Sequence, residues 1–437
     1  MAALNHPVRI LIVGGGYVGM YTALALQKRL SPGAAEITVV EPQSNMTYQP
    51  FLPEAAAGNV EPRHVVVPLR KVLRRCNVIT GAVSAIVHAR RVAIVQPGDG
   101  ESYELGYDLL VVCPGSVSRL LPIPGLAEHG IGFKTIGEAI YLRNHVLSCL
   151  DLAASTNDPV LRRKALTFVF VGGGYAGVEA MAELEDMARY ALRYTPSLKT
   201  EDMRWVLVEA ASRIMPEVSV RLSAYTVDRL TERDIDVRLN TRLESAEGNR
   251  ITLSDGEQFD AETLVWTAGV KANPMLKQTD LPLDDAGRLA CAANLTVKGV
   301  TGVFAAGDCA AVPDLSKDDP NALCGPSAPA RGASVEDARG EHRGDGAWRD
   351  AARLPPRVRR ISRVARPLPR RRRDLRDQAA RTPGLVHAPH LPRVADADLQ
   401  PKGTGGCGLD RRAVVPARDR LAGPVAPATD GIRAGSR

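Results

Sequence analysis

Apolar residues fall along this chain in short unbroken runs that stop at glycine or at a carboxylate, and the runs form two matching sets. The first set is Val8–Val13 (VRILIV), Ile37–Glu41 (ITVVE) and Tyr107–Gly115 (YDLLVVCPG); the second is Thr167–Val171 (TFVFV), Arg204–Glu209 (RWVLVE) and Thr263–Val270 (TLVWTAGV). Runs of this length without polar alternation predict buried strands. Between them lie helical patterns directly after each glycine turn, at Pro53–Ala57, at Lys134–Leu152 and near Val218–Thr231. Shorter strands are expected at Asn77–Ile79, Val83–His88, Arg91–Gln96, Ile235–Arg238 and Ile251–Leu253. The polar stretch Ala153–Asp158 reads as a linker, and Tyr190–Asp202 as a longer helix and loop. A last run, Val300–Ala310, ends in Gly307-Asp308 and predicts a helix start beyond it.

The chemistry enters where the first strand of each set stops. Val8–Gly19 reads VRILIVGGGYVG and Thr167–Gly177 reads TFVFVGGGYAG, each a strand running into G-x-G-x-x-G and then a helix. In that context the glycines have separate roles. Gly14 and Gly172 permit the sharp turn, Gly16 and Gly174 let a pyrophosphate approach the backbone, and Gly19 and Gly177 let helix and strand lie close. The helix N-terminus then offers free N–H groups to phosphate. Glu41 and Glu209 each close the next strand. Glu41, about 22 residues past Gly19, has the spacing at which an acid accepts hydrogen bonds from an adenosine ribose, while Glu209, about 32 past Gly177, needs a longer helix and loop between. The plainer alternative for each is an acid at a strand end meeting solvent. An acid without an arginine directly after it favours NADH over NADPH at the second site. Asp308 can accept a ribityl hydroxyl near Gly307.

Repetition on this scale predicts an α/β fold of two Rossmann-like dinucleotide-binding domains. Residues 1–155 are expected to form the first part of one nucleotide-binding domain, 156–275 the second, and 276–328 the return to the first. No early segment reads as a secretory signal and no run is long enough to span a bilayer, so a cytoplasmic location is expected. The seven cysteines show no close pair, which argues against a disulfide framework and against a redox disulfide beside the flavin. Asn45–Gly58 (NMTYQPFLPEAAAG), where such a pair would fall, has none; it reads either as packing over the sheet or as a loop beside the flavin ring.

Together, GGGYVG with Glu41, YDLLVVCPG, GGGYAGVE with Glu209, LVWTAGV and FAAGDCA resemble the two-dinucleotide-binding-domain flavoproteins. The missing cysteines and the QPFLPEAAAG loop resemble type II NADH dehydrogenase, the single-chain, non-proton-pumping NADH:quinone oxidoreductase, over about residues 9–327. The resemblance implies an FAD-binding domain for the first and an NADH-binding domain for the second. It implies that Gly14, Gly16, Gly19, Glu41, Gly307 and Asp308 bind FAD and that Gly172, Gly174, Gly177 and Glu209 bind NADH. It also implies that Glu179 lies near the nicotinamide and the quinone approach; the plainer alternative is a first-turn acid complementing the helix dipole. Hydride would pass from NADH to FAD and two electrons on to a membrane quinone. Peripheral attachment to the inner face of the cell membrane and a homodimer are compatible with the resemblance. A reductase of a soluble electron carrier and an inactive cofactor-binding remnant are the alternatives.

From about Pro329 the composition changes. The stretch is rich in Arg, Pro, Ala and Gly, has no Phe or Tyr, and keeps a single lysine, Lys402. It carries an excess of about 12 positive charges, which leaves the first 330 residues near −5 against the chain's formal +7. Three readings compete: a nucleic-acid- or anionic-lipid-binding arm, a disordered linker, or an out-of-frame translation. Back-translating 385–402 and 329–344 and reading one base later gives segments like the family's C-terminal region, including Ala-Gln directly after Ser327, where the family has its quinone-site Ala-Gln. That favours the frameshift, with no nucleic-acid partner, and with the family's membrane anchor and quinone-site elements missing.

Overall fold

Each glycine-turn segment supplies the central strand of a parallel sheet. A computed structural model describes residues 7–315, 317–319 and 322–324; the reading of residues 329–437 as an out-of-frame tail lies outside them. In the first sheet the strand order is Val303–Ala305, Leu109–Val112, Val8–Val13, Ala35–Glu41 and Asn77–Val87, continued by Val92–Pro97 and Tyr103–Gly106. The first five strands are parallel and the last two antiparallel. In the second sheet the order is Gly130–Gly132, Thr263–Trp266, Thr167–Val171, Arg204–Val208 and Ile235–Arg238, all parallel. Four strands therefore repeat in the same spatial order in both sheets, as the sequence repeat requires.

The fifth strand of each sheet comes from a different stretch of chain. Val303–Ala305 closes the first sheet after the chain has left the second, whereas Gly130–Gly132 joins the second sheet before the second glycine turn. The second sheet thus begins well before the expected 155/156 boundary. A ribbon connects the two sheets: Ser116–Ser118 pairs antiparallel with Val270–Ala272.

Other elements differ from expectation for local reasons. The two short strands expected over 77–88 are one strand, Asn77–Val87, with an irregularity between Val83 and Ala85 where its partner changes register. The helix expected over 134–152 is Ile136–Ser155, because Thr135 caps it: Thr135 Oγ1 accepts from the Glu138 N–H at 3.2 Å, and Glu138 Oε2 accepts from the Thr135 N–H at 2.7 Å. Asp158, assigned to a linker, caps a further helix, Pro159–Ala165, through the Val160 N–H at 2.8 Å. The helix expected after Asp308 does not form: Ala310–Ala311 instead pairs in parallel with Leu289–Ala290.

The largest core cluster joins the two units. Leu52, Ala55 and Ala56, on the short helix Leu52–Ala56, are buried with Leu142 and Val146 of Ile136–Ser155, Met181 and Leu184 of Tyr175–Ala191, and Phe168, Phe170 and Trp205 of the second sheet. The Phe168 and Trp205 rings stack at 4.3 Å, and such pairs contribute beyond their buried area. One carboxylate lies at the edge of this core. Glu185, 1% exposed, is ion-paired with Arg189 and Arg233, and Arg233 also donates to the Ala182 carbonyl at 2.9 Å.

Removing that carboxylate takes the ion-pair partner from Arg189 and leaves Arg233 with Asp186 alone. Because both guanidinium groups reach solvent, Glu185→Ala is expected to destabilise the chain by about 2 kcal/mol, the scale of a lost charge-assisted hydrogen bond, measured by thermal or urea unfolding. Stability within experimental error of the parent would show that the triad is dispensable.

Candidate functional site

The two glycine turns are built alike, atom by atom. Gly14 and Gly172 have φ of +101° and +115°, a region that disfavours any side chain. A Cβ on Gly14 would also fall 2.4 Å from the Cys113 carbonyl oxygen, and one on Gly172 2.7 Å from Thr267 Oγ1. Gly19 and Gly177 lie on the first helical turn so close to the strand end that a Cβ would meet the carbonyl oxygens of Gly14 and Gly172 at 1.8 and 2.0 Å. At Gly16 and Gly174 the situation is reversed, since a Cβ would meet nothing within 4 Å. These two glycines border open space at the N-termini of Tyr17–Arg29 and Tyr175–Ala191, where N–H groups have no intrahelical partner.

Each turn is fixed by the acid from the neighbouring strand. Glu41 Oε2 accepts from the Gly15 N–H at 2.6 Å and Oε1 from the Gln43 N–H at 3.2 Å. In the repeat, Glu209 Oε2 accepts from the Gly173 N–H at 2.6 Å and Oε1 from the Ala211 N–H at 2.7 Å. Burial raises the Glu41 pKa, while the Gly15 and Gln43 amides pull it back. Both carboxylates therefore stand beside their own glycine turns, at the edge of the open space.

Asp308 follows Gly307, whose φ is +88°. Asp308 accepts from the Ser116 hydroxyl at 2.7 Å, and Ser116 in turn accepts from Lys134 Nζ at 2.6 Å. Gly307, Asp308 and Ser116 line a cavity of about 590 Å³ together with Arg119, Lys271 and Arg288. Glu179 lies apart from this group, half-buried on Tyr175–Ala191, the helix that packs on Leu52–Ala56. Burial, with Glu54 and Glu183 nearby, pushes its pKa up to about 7. Glu54 Oε2 is buried without a hydrogen bond among the described residues, and Glu183 accepts from Asn59 Nδ2 at 2.7 Å.

The sequence profile of the family described as pyridine nucleotide-disulphide oxidoreductase matches residues 8–324. A type II NADH:quinone oxidoreductase of Mycobacterium tuberculosis is 30% identical over 319 residues, covering 70% of this chain and 67% of the relative. The chain belongs to the type II NADH:quinone oxidoreductases of this family. An external alternative NADH-ubiquinone oxidoreductase of Yarrowia lipolytica is similar at 29% identity over 325 residues, covering 69% of this chain but 55% of that protein. The chain therefore spans between about half and two thirds of these relatives. NDH2 from Plasmodium falciparum, solved in complex with NADH, superposes with a TM-score of 0.66 at 19% identity, over 70% of this chain and 65% of the other. The six cysteines among the described residues are all free, although the family takes its description from disulphide chemistry.

Apart from Glu179, the expected residues divide into three groups. Gly14, Gly16, Gly19 and Glu41 come together at one turn, Gly172, Gly174, Gly177 and Glu209 at the other, and Asp308 with Gly307 at the return strand. Sequence reasoning passed over the middle glycines: a Cβ on Gly15 would fall 2.6 Å from Leu69 Cδ1, and one on Gly173 2.6 Å from Ile214 Cγ2. It also passed over Ser116, Lys134 and the neighbours of Glu179. Aligning the internal repeat could have exposed the middle glycines; nothing local marks Lys134.

The raised Glu179 pKa has a defined effect on stability. The folded chain holds this proton more tightly than the unfolded chain, so ionising Glu179 costs stability as pH rises from about 4.5 to about 7, and the loss is constant above that. Glu179→Gln is expected to melt at a higher temperature than the parent above pH 7, with the gain disappearing below pH 4.5. A pH-independent difference would show that the carboxyl titrates as an ordinary surface acid.

Proposed function

We propose that the chain is an FAD-dependent NADH:quinone oxidoreductase, with FAD at the Gly14 turn and NADH at the Gly172 turn. The observation that carries the reading is the duplicated cradle. In each copy the acid of the next strand holds the middle-glycine amide at 2.6 Å, and a Cβ at the third glycine would meet only open space. A dinucleotide requires this arrangement: free helix N–H groups for pyrophosphate and a fixed carboxylate for the ribose hydroxyls. Glu41 and Glu209 would each hold one adenosine, and Asp308 would accept from the ribityl chain. The 590 Å³ cavity beside Gly307 and Asp308 supports assigning the flavin to the first unit.

When bound, the flavin would take hydride from NADH and pass two electrons to a quinone. The protein's part is to orient and to exclude water. The core that joins Leu52–Ala56 to Tyr175–Ala191 would fix the spacing of the two nucleotide sites. Glu179 on that second helix, with its pKa near 7, can hold or release a proton where nicotinamide and acceptor would arrive. Selection of NADH follows from Glu209, which would repel a 2′-phosphate. The nearest following arginine, Arg213, is already engaged by the carbonyl oxygens of Val218 at 3.1 Å and Pro216 at 2.6 Å. A quinone partitions into the bilayer, so turnover with it would need peripheral contact with the membrane on the side that holds NADH, through elements that the out-of-frame reading of residues 329–437 expects to be missing.

The purified chain, reconstituted with FAD, is expected to show flavin absorbance that NADH bleaches faster than NADPH does and that a water-soluble quinone restores. Gly16→Ala should keep its apo-protein stability to within about 1 kcal/mol while losing flavin. Gly19→Ala should lose both, because its Cβ would fall 1.8 Å from the Gly14 carbonyl oxygen. A colourless parent chain, or a Gly16→Ala variant that retains flavin, would overturn the assignment.

A further inference from the structure

Lys134 belongs to neither glycine turn, yet its side chain reaches Ser116 and, through it, Asp308. It stands between the strand Gly130–Gly132 of the second sheet and the capped helix Ile136–Ser155. Its backbone is held on both sides: the N–H donates to Glu138 Oε2 at 2.8 Å and the carbonyl accepts from Gln49 Nε2 at 3.3 Å. The side chain crosses to the first unit. Nζ donates to Ser116 Oγ at 2.6 Å, and the buried Ser116 donates to Asp308 Oδ2 at 2.7 Å. The ammonium is thus two hydrogen bonds from the carboxylate that the proposed function gives to the flavin's ribityl chain.

The group is not saturated by the described residues. An ammonium has three donors, and Ser116 is the hydrogen-bond acceptor that the described residues offer it. Burial pushes the Lys134 pKa down, and the Asp308 and Glu138 carboxylates push it back up. A partly desolvated cation with donors to spare is costly to keep unless an acceptor arrives to take them. The site that would supply one is the flavin site itself, since Ser116 and Asp308 line the cavity there.

We propose that Lys134 is a positioning residue for flavin reduction: oriented through Ser116 on Asp308, it keeps a fixed positive charge beside the bound flavin and stabilises the reduced form over the oxidised. The inference rests on the proposed function. Hydride brings two electrons and one proton, so a flavin that takes it without a second proton gains one negative charge, and NAD⁺ departs. A preorganised cation favours that charge at no cost of reorganisation. A lysine that serves only as a tie between the two units would have no such effect.

The test is the two-electron midpoint potential of the FAD-loaded full chain, read against redox dyes, for the parent, Lys134→Met, Lys134→Arg and Ser116→Ala. Lys134→Met is expected to favour oxidised over reduced flavin at least tenfold more than the parent, a shift of about 30 mV to lower potential. Lys134→Arg should recover most of that shift, and Ser116→Ala, which keeps the charge but loosens it, should move the potential the same way by less. A Lys134→Met potential within threefold of the parent, or Arg and Met variants that behave alike, would overturn the inference. Should Lys134→Met not fold, an Arg or Ser116→Ala potential equal to the parent's within threefold in both cases would support a neutral role for the link, and a shift confined to Ser116→Ala would support the orienting one. A parent chain that takes up no FAD would instead overturn the function on which the inference depends.

Discussion

The hydrogen bond from a mid-turn glycine amide to the acid of the neighbouring strand, 2.6 Å at both Gly15–Glu41 and Gly173–Glu209, is the constraint on which the rest of the structure depends. It joins two adjacent strand ends at the place where the chain must reverse into a helix. With the amide fixed, the first glycine has to take a positive φ and the last has to pass against its carbonyl. The one direction left open is the face where Gly16 and Gly174 have no side chain. Each carboxylate retains acceptor capacity, so under the proposed function one interaction would both shape the turn and leave an acceptor for a ribose.

The two cradles are held in relation to each other by exchange of elements. A helix from the first unit, Leu52–Ala56, lies in the core of the second, and the ribbon of Ser116–Ser118 and Val270–Ala272 connects the sheets. Lys134, Ser116 and Asp308 add a polar tie at the cavity. Such sharing suits an enzyme that must hold two cofactors at one spacing, because orientation is most of what the protein supplies. It also explains why Glu179 is perturbed: packing Leu52–Ala56 on its helix brings Glu54 near and removes water from both.

Much of this was legible in the sequence because it is local. The buried strands, the glycine turns and their acids follow from residues within one βαβ unit, and the repeat implied two domains of one kind. What was hidden depends on contacts far along the chain. The outer strand Gly130–Gly132 carries two glycines and no periodicity, and it is a strand because Leu264–Trp266 offers it a partner. Ala310–Ala311 reads as a helix start, but pairing with Leu289–Ala290 decides otherwise. Glu185 looks like a surface acid of an amphipathic helix until Arg233, 48 residues away, is set against it. Ser116 and Asp308 are 192 residues apart, and no spacing rule reaches that distance.

A crystal structure of the full chain grown with FAD and NADH tests the central claim most directly. The account predicts one adenosine ribose within hydrogen-bond distance of Glu41 and the other within reach of Glu209, each pyrophosphate lying over Gly16 or Gly174. Either nucleotide bound elsewhere, with its glycine turn empty, would contradict it.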